Sequence, residues 1–258
     1  MKLFHRELGG EGKPPLIILH GLLGSSRTWQ TAARDLASRF HVFALDLRNH
    51  GESPHAPEQT FCLMVADVIE WMDDRRLGKA SVLGHSLGGK VAMLLACRHE
   101  ARVESLCVVD IAPRAYEARS AEMEAMLGLA LKGITFRAEA DKHLARVIPN
   151  PVLRRFLLTN LVRSETGEFR WQPNLAAFIA ALPALRSSPL DPQDQFQGKT
   201  LFLAGGLSSF VGKEDEALIH RHFPRASIVR LPGSGHFPHV DDRPGFVASI
   251  LSFAEAIQ

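Results

Sequence analysis

One serine of this 258-residue chain stands in a setting that favours a nucleophile. The pentapeptide GHSLG covers residues 84–88 and fits the pattern G-x-S-x-G, with Ser86 at its centre. A short apolar run leads into its first glycine, and a run with helical spacing follows it. That order predicts a strand, a sharp turn and a helix, with the serine hydroxyl exposed at the turn. The N–H of Leu87, where the helix begins, can then face an oxyanion.

A serine nucleophile needs a base that takes its proton, and His236 is the best candidate among 12 histidines. It stands in a glycine-rich loop, GSGHFP at residues 233–238, after the last apolar run of the chain. We therefore expect His236 to leave the same edge of the sheet as Ser86. His239, three residues further on, is the rival, and we expect a supporting or surface role for it.

The acid that orients the base is less direct to identify. A frequent position for it follows the apolar run at residues 201–203, but residues 204–210 contain no carboxylate. Glu214 and Asp215 come next and look like the solvated start of a helix. Asp110 instead ends an apolar strand beside the strand of Ser86. Asp110 is therefore the favoured acid, and its alternative role is to cap the following segment.

Two further groups complete the expected site. With Asp110 as the acid, the chain order is nucleophile, acid, base. A second oxyanion donor should come from the loop after the first parallel strand, where the N–H of Leu22 is the best candidate. Ser208 would lie close enough to support the imidazole. Polar residues 46–54 follow another strand; they either line the pocket or brace the loops, and bracing is favoured.

Hydrophobic patterning indicates the elements that position these residues. Short apolar runs alternate with amphipathic stretches, which predicts an α/β fold with a mainly parallel central sheet flanked by helices. The opening segment, residues 2–8, is expected to add an antiparallel edge strand. Residues 1–113 and 192–258 would form one core domain. The apolar runs cover residues 16–19, 42–45, 81–83, 106–109, 201–203 and 228–231.

Residues 114–191 show a helical pattern without strands, and we expect them to form a helical cap. Ligands of open α/β sheets bind outside the carboxyl ends of the strands, so an insertion leaving there would roof the site. Helices are expected over residues 121–131, 141–148, 151–162 and 174–185, with a turn at 164–168. Apolar cap residues could face an acyl chain, although packing against the core is the commoner fate of any single one. They are Met123, Met126, Leu127, Leu157, Leu161, Phe178 and Leu182.

Composition sets limits on the class of protein. Hydrophobic residues make up 46% and charged residues 22%, and the net charge of +2 gives no reason to expect nucleic-acid binding. No apolar stretch reaches the ~20 residues needed to cross a bilayer, and the start lacks a signal-peptide core. Cys62, Cys97 and Cys107 lie within apolar patterns, which predicts buried thiols in a reducing, cytoplasmic compartment.

These motifs together resemble the α/β-hydrolase superfamily, and within it the YbfF-type esterases and the related mitochondrial hydrolases. In that branch the acid follows the sixth strand and a serine takes the more usual acid position, which matches Asp110 and Ser208. The resemblance implies hydrolysis of carboxylic esters, including acyl-CoA thioesters. The motifs are HGL at 20–22, DLRNHGES at 46–53, GHSLGGK at 84–90, VDIAP at 109–113 and GH at 235–236.

The leading interpretation is an esterase or thioesterase that acts on a small-molecule substrate through an acyl-enzyme and needs no metal or organic cofactor. Carbon–carbon bond hydrolases, menaquinone-pathway lyases and cofactor-free perhydrolases use the same triad and remain alternatives. Haloalkane dehalogenases and epoxide hydrolases are disfavoured because they place aspartate where this chain has Ser86. A binding protein that keeps the fold without catalysis is the non-enzyme alternative. A monomer or small homo-oligomer is expected.

Overall fold

The computed structural model describes residues 1–255 and contains nine strands and ten α-helices in that range. The strands are β1 (His5–Glu7), β2 (Pro15–Leu19), β3 (His41–Leu45), β4 (Ala80–His85), β5 (Val103–Val109), β6 (Leu161–Arg163), β7 (Phe169–Trp171), β8 (Thr200–Gly205) and β9 (Ala226–Leu231). The helices are α1 (Gln30–Leu36), α2 (Phe61–Asp74), α3 (Leu87–Arg98), α4 (Ala121–Leu127), α5 (Arg137–Leu144), α6 (Pro151–Leu158), α7 (Leu175–Arg186), α8 (Glu216–His222), α9 (Pro238–Asp241) and α10 (Arg243–Glu255).

Seven strands form one sheet in the order β1-β3-β2-β4-β5-β8-β9. The edge strand β1 runs antiparallel to β3, and every other neighbouring pair is parallel. The predicted α/β class, the parallel sheet and the antiparallel edge strand are therefore confirmed. Within residues 1–255, no helix combines the length and the apolar character that a membrane crossing needs.

Successive side chains of the central strands are buried on opposite faces of the sheet. On β2, Ile17 and Leu19 join one apolar cluster and Leu16 and Ile18 join another, as the two-residue period of a strand requires. Helices α2 and α3 contribute to the first cluster, while α1 and α10 contribute to the second. Both faces of the sheet are thus covered by helices.

Residues 114–191 lie between β5 and β8 and contain four helices, but also a hairpin that the sequence pattern did not predict. Strands β6 and β7 pair antiparallel across the turn expected at residues 164–168. The expectation of a segment without strands is therefore wrong, because each strand is only three residues long and merges into neighbouring helical patterns. Helix α4 ends at Leu127, α5 starts at Arg137, and α6 stops at Leu158.

The side chains of this inserted segment form a third apolar cluster, separate from those on the sheet. Leu23, from the loop after β2, is buried within that cluster, and Leu22 packs against it. The side-chain amide of Asn160 donates to the carbonyl oxygen of Leu23 at 2.8 Å. The inserted segment is therefore packed directly on the loop that precedes α1.

The three cysteines do not share one environment. Cys107 is buried on β5, and Cys97 is partly buried near the end of α3. Cys62 is exposed, which corrects the expectation of three buried thiols. Its neighbour Phe61 takes the inward position at the start of α2, and Cys62 falls on the outer face of that helix.

Candidate active site

Strand register brings four strand ends to one edge of the sheet. His85 of β4 pairs with Val109 of β5, and Val109 pairs in turn with Leu203 of β8. Gly205, at the end of β8, pairs with Leu231 of β9. The carboxyl ends of parallel strands meet at this edge, which is where α/β proteins bind ligands. The polar residues that follow these ends are Ser86, Asp110, Ser208 and His236.

Ser86 occupies a strained turn between β4 and α3. Its backbone has φ 50° and ψ −115°, and its N–H donates to the carbonyl oxygen of Val109 at 3.0 Å. A side chain on Gly84 would stand 2.2 Å from the carbonyl oxygen of Gly88, so the turn cannot close this tightly with a larger residue at position 84. The turn leaves Ser86 half-exposed at the sheet edge, as in a nucleophile elbow.

Asp110 is fully buried at the end of β5, and its carboxylate accepts three hydrogen bonds. One oxygen accepts from the N–H of Gly205 at 2.9 Å. The other accepts from Nδ1 of His236 at 2.7 Å and from the hydroxyl of Ser208. The structure therefore brings Asp110, Ser208 and His236 together, and each donor stabilises the ionised carboxylate.

The imidazole of His236 is held from two further directions. Its ring stacks on Phe210 with centroids 4.0 Å apart, while 24% of the side chain stays exposed. Its backbone carbonyl accepts from Nε2 of His85 at 2.7 Å. Burial lowers the pKa of His85 well below its usual value, so a neutral ring donates this bond. His85, the residue before Ser86, thus ties the turn at Ser86 to the loop of His236.

His239 is buried away from the carboxylate of Asp110 and stacks on Trp29 with centroids 4.1 Å apart. Desolvation by burial, with a smaller contribution from His236, lowers the pKa of His239 to about 3. The ring is therefore neutral at physiological pH and forms part of the packing beneath the loop. The surface position considered for it is wrong, because the indole of Trp29 offers it a flat apolar partner.

The loop after β2 holds Leu22, whose N–H is the second candidate oxyanion donor from the sequence. The carbonyl oxygen of Gly21 accepts from Nδ1 of His20 at 2.8 Å and from the N–H of Gly24 at 2.9 Å. Because a trans peptide is planar, the N–H of Leu22 must point away from those two donors. The N–H of Leu87 begins α3 and so has no acceptor within that helix. Both N–H groups therefore remain available.

His20 is held in one tautomer by its surroundings. Its Nε2 accepts from the N–H of Leu47 at 3.0 Å, which leaves the proton on Nδ1 for the bond to Gly21. Burial lowers the pKa of His20, so the ring is uncharged. The buried ring of His50 lies 4.7 Å from the ring of His20, measured between centroids.

The polar run at residues 46–54 braces neighbouring loops. The carboxylate of Asp46 accepts from the N–H groups of Ser26 and Glu52. Arg48 forms a bidentate pair with Asp67 at 2.6 and 2.9 Å. These side chains are buried and already partnered, which favours the bracing interpretation over a role in lining the pocket.

Asp215 differs from the sequence-based expectation in one respect. It is buried, whereas a solvated helix start was expected. Its carboxylate accepts from the guanidinium of Arg114 at 2.8 Å and from the N–H of Gly212. The ion pair explains why a carboxylate is buried here. Glu214 is exposed, as expected.

The apolar residues expected to face an acyl chain divide into two groups. Leu127 is 53% exposed, because it lies on the outer side of α4 at its last turn. The remaining six are buried in the third apolar cluster, where they pack against one another. They are Met123, Met126, Leu157, Leu161, Phe178 and Leu182. Packing of this kind is the commoner fate of an apolar cap residue.

Three aromatic contacts around the site were missed by sequence reasoning. Phe210 stacks on His236, and Phe237 lies beside that ring with centroids 5.3 Å apart. Phe156 of α6 contacts Phe237 at 5.2 Å and so links the inserted segment to the loop of His236. Phe237 adjoins the histidine in sequence and could have been found. Phe156 and Phe210 are distant in sequence, and no local pattern marks them.

Known proteins place the chain in a family. A comparison with protein-family models matches residues 14–243 to the α/β-hydrolase fold family. The sn-1-specific diacylglycerol lipase ABHD11 of Danio rerio is 35% identical over 250 residues, which cover 93% of this chain and 78% of that protein. The esterase YbfF of Escherichia coli is 28% identical over 241 residues, which cover 93% of this chain and 92% of that protein. A solved structure of a marine microorganism esterase superposes with a TM-score of 0.94 at 35% identity. The superposition covers 98% of this chain and 99% of the esterase chain.

The chain has a seven-stranded sheet with a serine elbow at its carboxyl edge, and the family model matches most of the chain. These features define an α/β hydrolase, and the chain belongs to that family. Within the family it is a serine hydrolase of the esterase type, in the YbfF-type branch that its sequence resembles.

Proposed function

We propose that the chain cleaves carboxylic esters, including acyl thioesters, through an acyl-enzyme on Ser86. The observation that carries the proposal is the bond of 2.7 Å between Nδ1 of His236 and the buried carboxylate of Asp110. That bond leaves Nε2 as the only ring nitrogen free to take a proton. A base so oriented, at the same sheet edge as a half-exposed serine, has the arrangement of an acyl-transfer triad.

In the proposed mechanism, Nε2 of His236 accepts the hydroxyl proton of Ser86 as the oxygen attacks the acyl carbon. Asp110 stabilises the imidazolium that forms and keeps the proton on Nδ1. The N–H groups of Leu22 and Leu87 stabilise the negative oxygen of the tetrahedral intermediate. His236 then protonates the leaving alcohol or thiol, and it later activates the water that releases the acid.

Ser208 has a supporting role in this proposal. Its hydroxyl donates to the same oxygen of Asp110 that accepts from His236 and also accepts from the N–H of Phe210 at 3.2 Å. The hydroxyl therefore positions the carboxylate and the loop whose aromatic ring stacks on the base. We expect its loss to weaken catalysis without removing it.

Residues 114–191 are proposed to act as a cap over a core of residues 1–113 and 192–258. The contact between Phe156 and Phe237 supports this arrangement, since it brings the inserted segment to the loop of the base. The six buried apolar residues form the body of the cap, and Leu22 and Phe156 at its partly exposed margin are better placed to meet an acyl chain.

The substrate class is proposed from the relatives and from the sequence resemblance. One relative is named a diacylglycerol lipase and another an esterase, which supports neutral acyl esters as substrates. Acyl-CoA thioesters are included because of the branch that the motifs resemble. We further propose a cytoplasmic location and a monomeric or small homo-oligomeric state. Three free thiols, one of them exposed, support the reducing compartment.

The test compares wild type with Ser86→Ala on p-nitrophenyl esters, diacylglycerol and acyl-CoA thioesters of increasing chain length. We expect wild-type turnover and a loss on the order of 10⁴–10⁶ in kcat for the variant, with an unchanged melting temperature. A fluorophosphonate probe should label wild type alone. Turnover of vinylogous diketones without ester turnover would favour a carbon–carbon bond hydrolase. Near-normal ester turnover by Ser86→Ala would overturn the nucleophile assignment.

A further inference from the structure

A groove of about 580 Å³ lies on the inserted segment, next to the loop that follows β2. It is formed where the start of α5 meets the β6-β7 hairpin and the 3₁₀ turn Ser26–Trp29. Three of its seven lining residues are arginines. The lining residues are Arg27, Thr135, Phe136, Arg137, Val162, Arg163 and Phe169.

Two of these guanidiniums are held in place by backbone oxygens. Arg163 donates to the carbonyl oxygens of Gly167 at 2.6 Å and Thr135 at 2.7 Å. Arg137 donates to the carbonyl oxygen of Leu158. Both guanidiniums also lie near the ring of Phe169, at 4.3 and 5.9 Å from its centroid. Since each retains unused N–H donors, they form a preorganised pair.

The positive charge of the groove is poorly compensated. Within residues 1–255, neither Arg137 nor Arg163 has a carboxylate at ion-pair distance, and Arg27 reaches only Glu52 at 3.8 Å. Glu52 is itself shared with Arg6. Three further acids stand in the elements that form the groove, and none is paired with a groove arginine within residues 1–255. They are Glu139, whose carboxylate accepts from the N–H and hydroxyl of Thr135, and the exposed Glu165 and Glu168 of the β6-β7 turn. An anion entering the groove would therefore meet three cations.

An aromatic surface stands beside these cations. Phe136 is 68% exposed, the largest such fraction among the described phenylalanines. It stands at the N-terminus of α5, whose first turn has no side-chain cap and carries one acid, Glu139. Exposed apolar rings at a charged groove suit a ligand that carries both a flat or apolar portion and an anion.

We propose that this groove binds the phosphate groups of a phosphorylated ligand. Guanidinium pairs match phosphate oxygens in geometry and in charge, whereas a single carboxylate would leave most of these donors unused. Arg27 is separated by only a few residues from Leu22, the proposed oxyanion donor, and Phe169 shares an apolar cluster with Leu23. We extend the proposal to thioesters whose leaving group carries phosphate: the groove would hold that phosphate while Ser86 attacks the acyl carbon, an extension that rests on the proposed function.

The test measures binding without turnover, so that it stands apart from the proposed hydrolysis. Isothermal titration with adenosine 3′,5′-bisphosphate and with coenzyme A is compared with cosedimentation on vesicles of phosphatidylcholine and phosphatidylglycerol. We expect Arg27→Gln and Arg163→Gln each to weaken binding about tenfold or more, and added salt to weaken wild-type binding. Arg155→Gln, an exposed arginine of the same segment outside the groove, is the matched control.

If wild type binds the nucleotides and the groove variants lose that binding, the ligand is a soluble phosphorylated molecule. If wild type binds the vesicles but not the nucleotides, and the same variants lose vesicle binding, the ligand is the phosphate of a lipid headgroup. Arg163→Gln removes two backbone contacts, so Arg27→Gln, which holds no backbone oxygen, separates ligand loss from unfolding. The proposal is overturned if wild type binds neither ligand at low ionic strength. Equal losses in Arg155→Gln and the groove variants would overturn it as well.

Discussion

A single buried carboxylate organises the site at the scale of one residue. Asp110 has φ 49°, a left-handed conformation that aspartate tolerates better than most residues. That conformation turns the chain sharply after β5, so that the side chain meets donors from β8 and from the loop of His236. The same carboxylate thus joins three separate segments, which makes its substitution informative.

Asp110→Asn should lower kcat by about 10⁴, the cost of the corresponding change in a serine protease, because an amide can hold the wrong imidazole tautomer. Asp215→Asn is the control, since Asp215 bonds Arg114 and not the imidazole. It should retain kcat and lose about 1–3 kcal/mol of unfolding free energy through its buried partners. Steady-state kinetics and urea unfolding of both variants decide the matter. The reverse pattern would place the acid after β8.

At the residue scale, sequence could single out positions where a motif and a strand end coincide, but it could not foresee contacts that only the fold creates. Asp110 could be chosen because the usual position after β8 carries no carboxylate. The burial of Asp215 could not be foreseen, because Arg114 lies far from it in sequence. The stacking of Phe210 on His236 joins two loops in the same way.

At the scale of elements, close backbone approach holds the loop of the base against β8. A Cβ on Gly205 would stand 2.1 Å from the carbonyl oxygen of Gly235, the residue before the histidine. Gly205 also donates its N–H to Asp110. The end of β8 therefore positions both Asp110 and the loop of His236.

Gly205→Ala should displace the loop of His236 and lower kcat on the order of 100-fold, since small misplacements of catalytic groups cost about that much. Gly233→Ala is the matched control, because a Cβ there would meet no atom within 4 Å. Turnover of p-nitrophenyl acetate and the melting temperature should be measured for both. Equal activity of the two variants would show that the loop tolerates the displacement.

The central strands could be predicted from sequence, because buried parallel strands read as short apolar runs between turns. The β6-β7 hairpin could not, since its strands are three residues long and lie in a segment of helical composition. Asn150 and Asn174 cap the starts of α6 and α7 with their side chains, and both helices begin within a residue of the positions expected from sequence.

The inserted segment meets the loop of the base through Phe156, so this residue should influence acyl-chain preference. Phe156→Ala should raise kcat/KM for long acyl esters relative to short ones by about tenfold, as removal of bulk from an apolar pocket does. Val147→Ala, at an exposed position of the same segment, should leave the ratio unchanged. An unchanged profile in Phe156→Ala would mean that core loops alone form the acyl pocket.

At the scale of the whole molecule, one buried lysine joins the core to the inserted segment. Lys90 of α3 donates through Nζ to the carbonyl oxygens of Arg186 at 3.2 Å and Ser187 at 2.5 Å, at the end of α7. Its ammonium also lies 4.9 Å from the ring centroid of Tyr116, at the start of the segment. Desolvation, and then the charges of Arg186 and Arg114, lower the pKa of Lys90 to about 7.

This depressed pKa makes stability depend on pH in a defined direction. Below about pH 7, Lys90 is charged in both the folded and the unfolded chain, and the full cost of burying the charge is present. Between about pH 7 and the unfolded pKa of 10.5, the folded chain holds fewer protons than the unfolded one, so stability rises with pH. Lys90→Met should therefore show a flatter rise in unfolding free energy between pH 7 and 9 than wild type. Urea unfolding at several pH values measures the difference in unfolding free energy between the two proteins. The contributions of titratable groups that both proteins share cancel in that difference. Parallel curves would mean that Lys90 keeps its charge when buried, held by the two carbonyl oxygens at the end of α7.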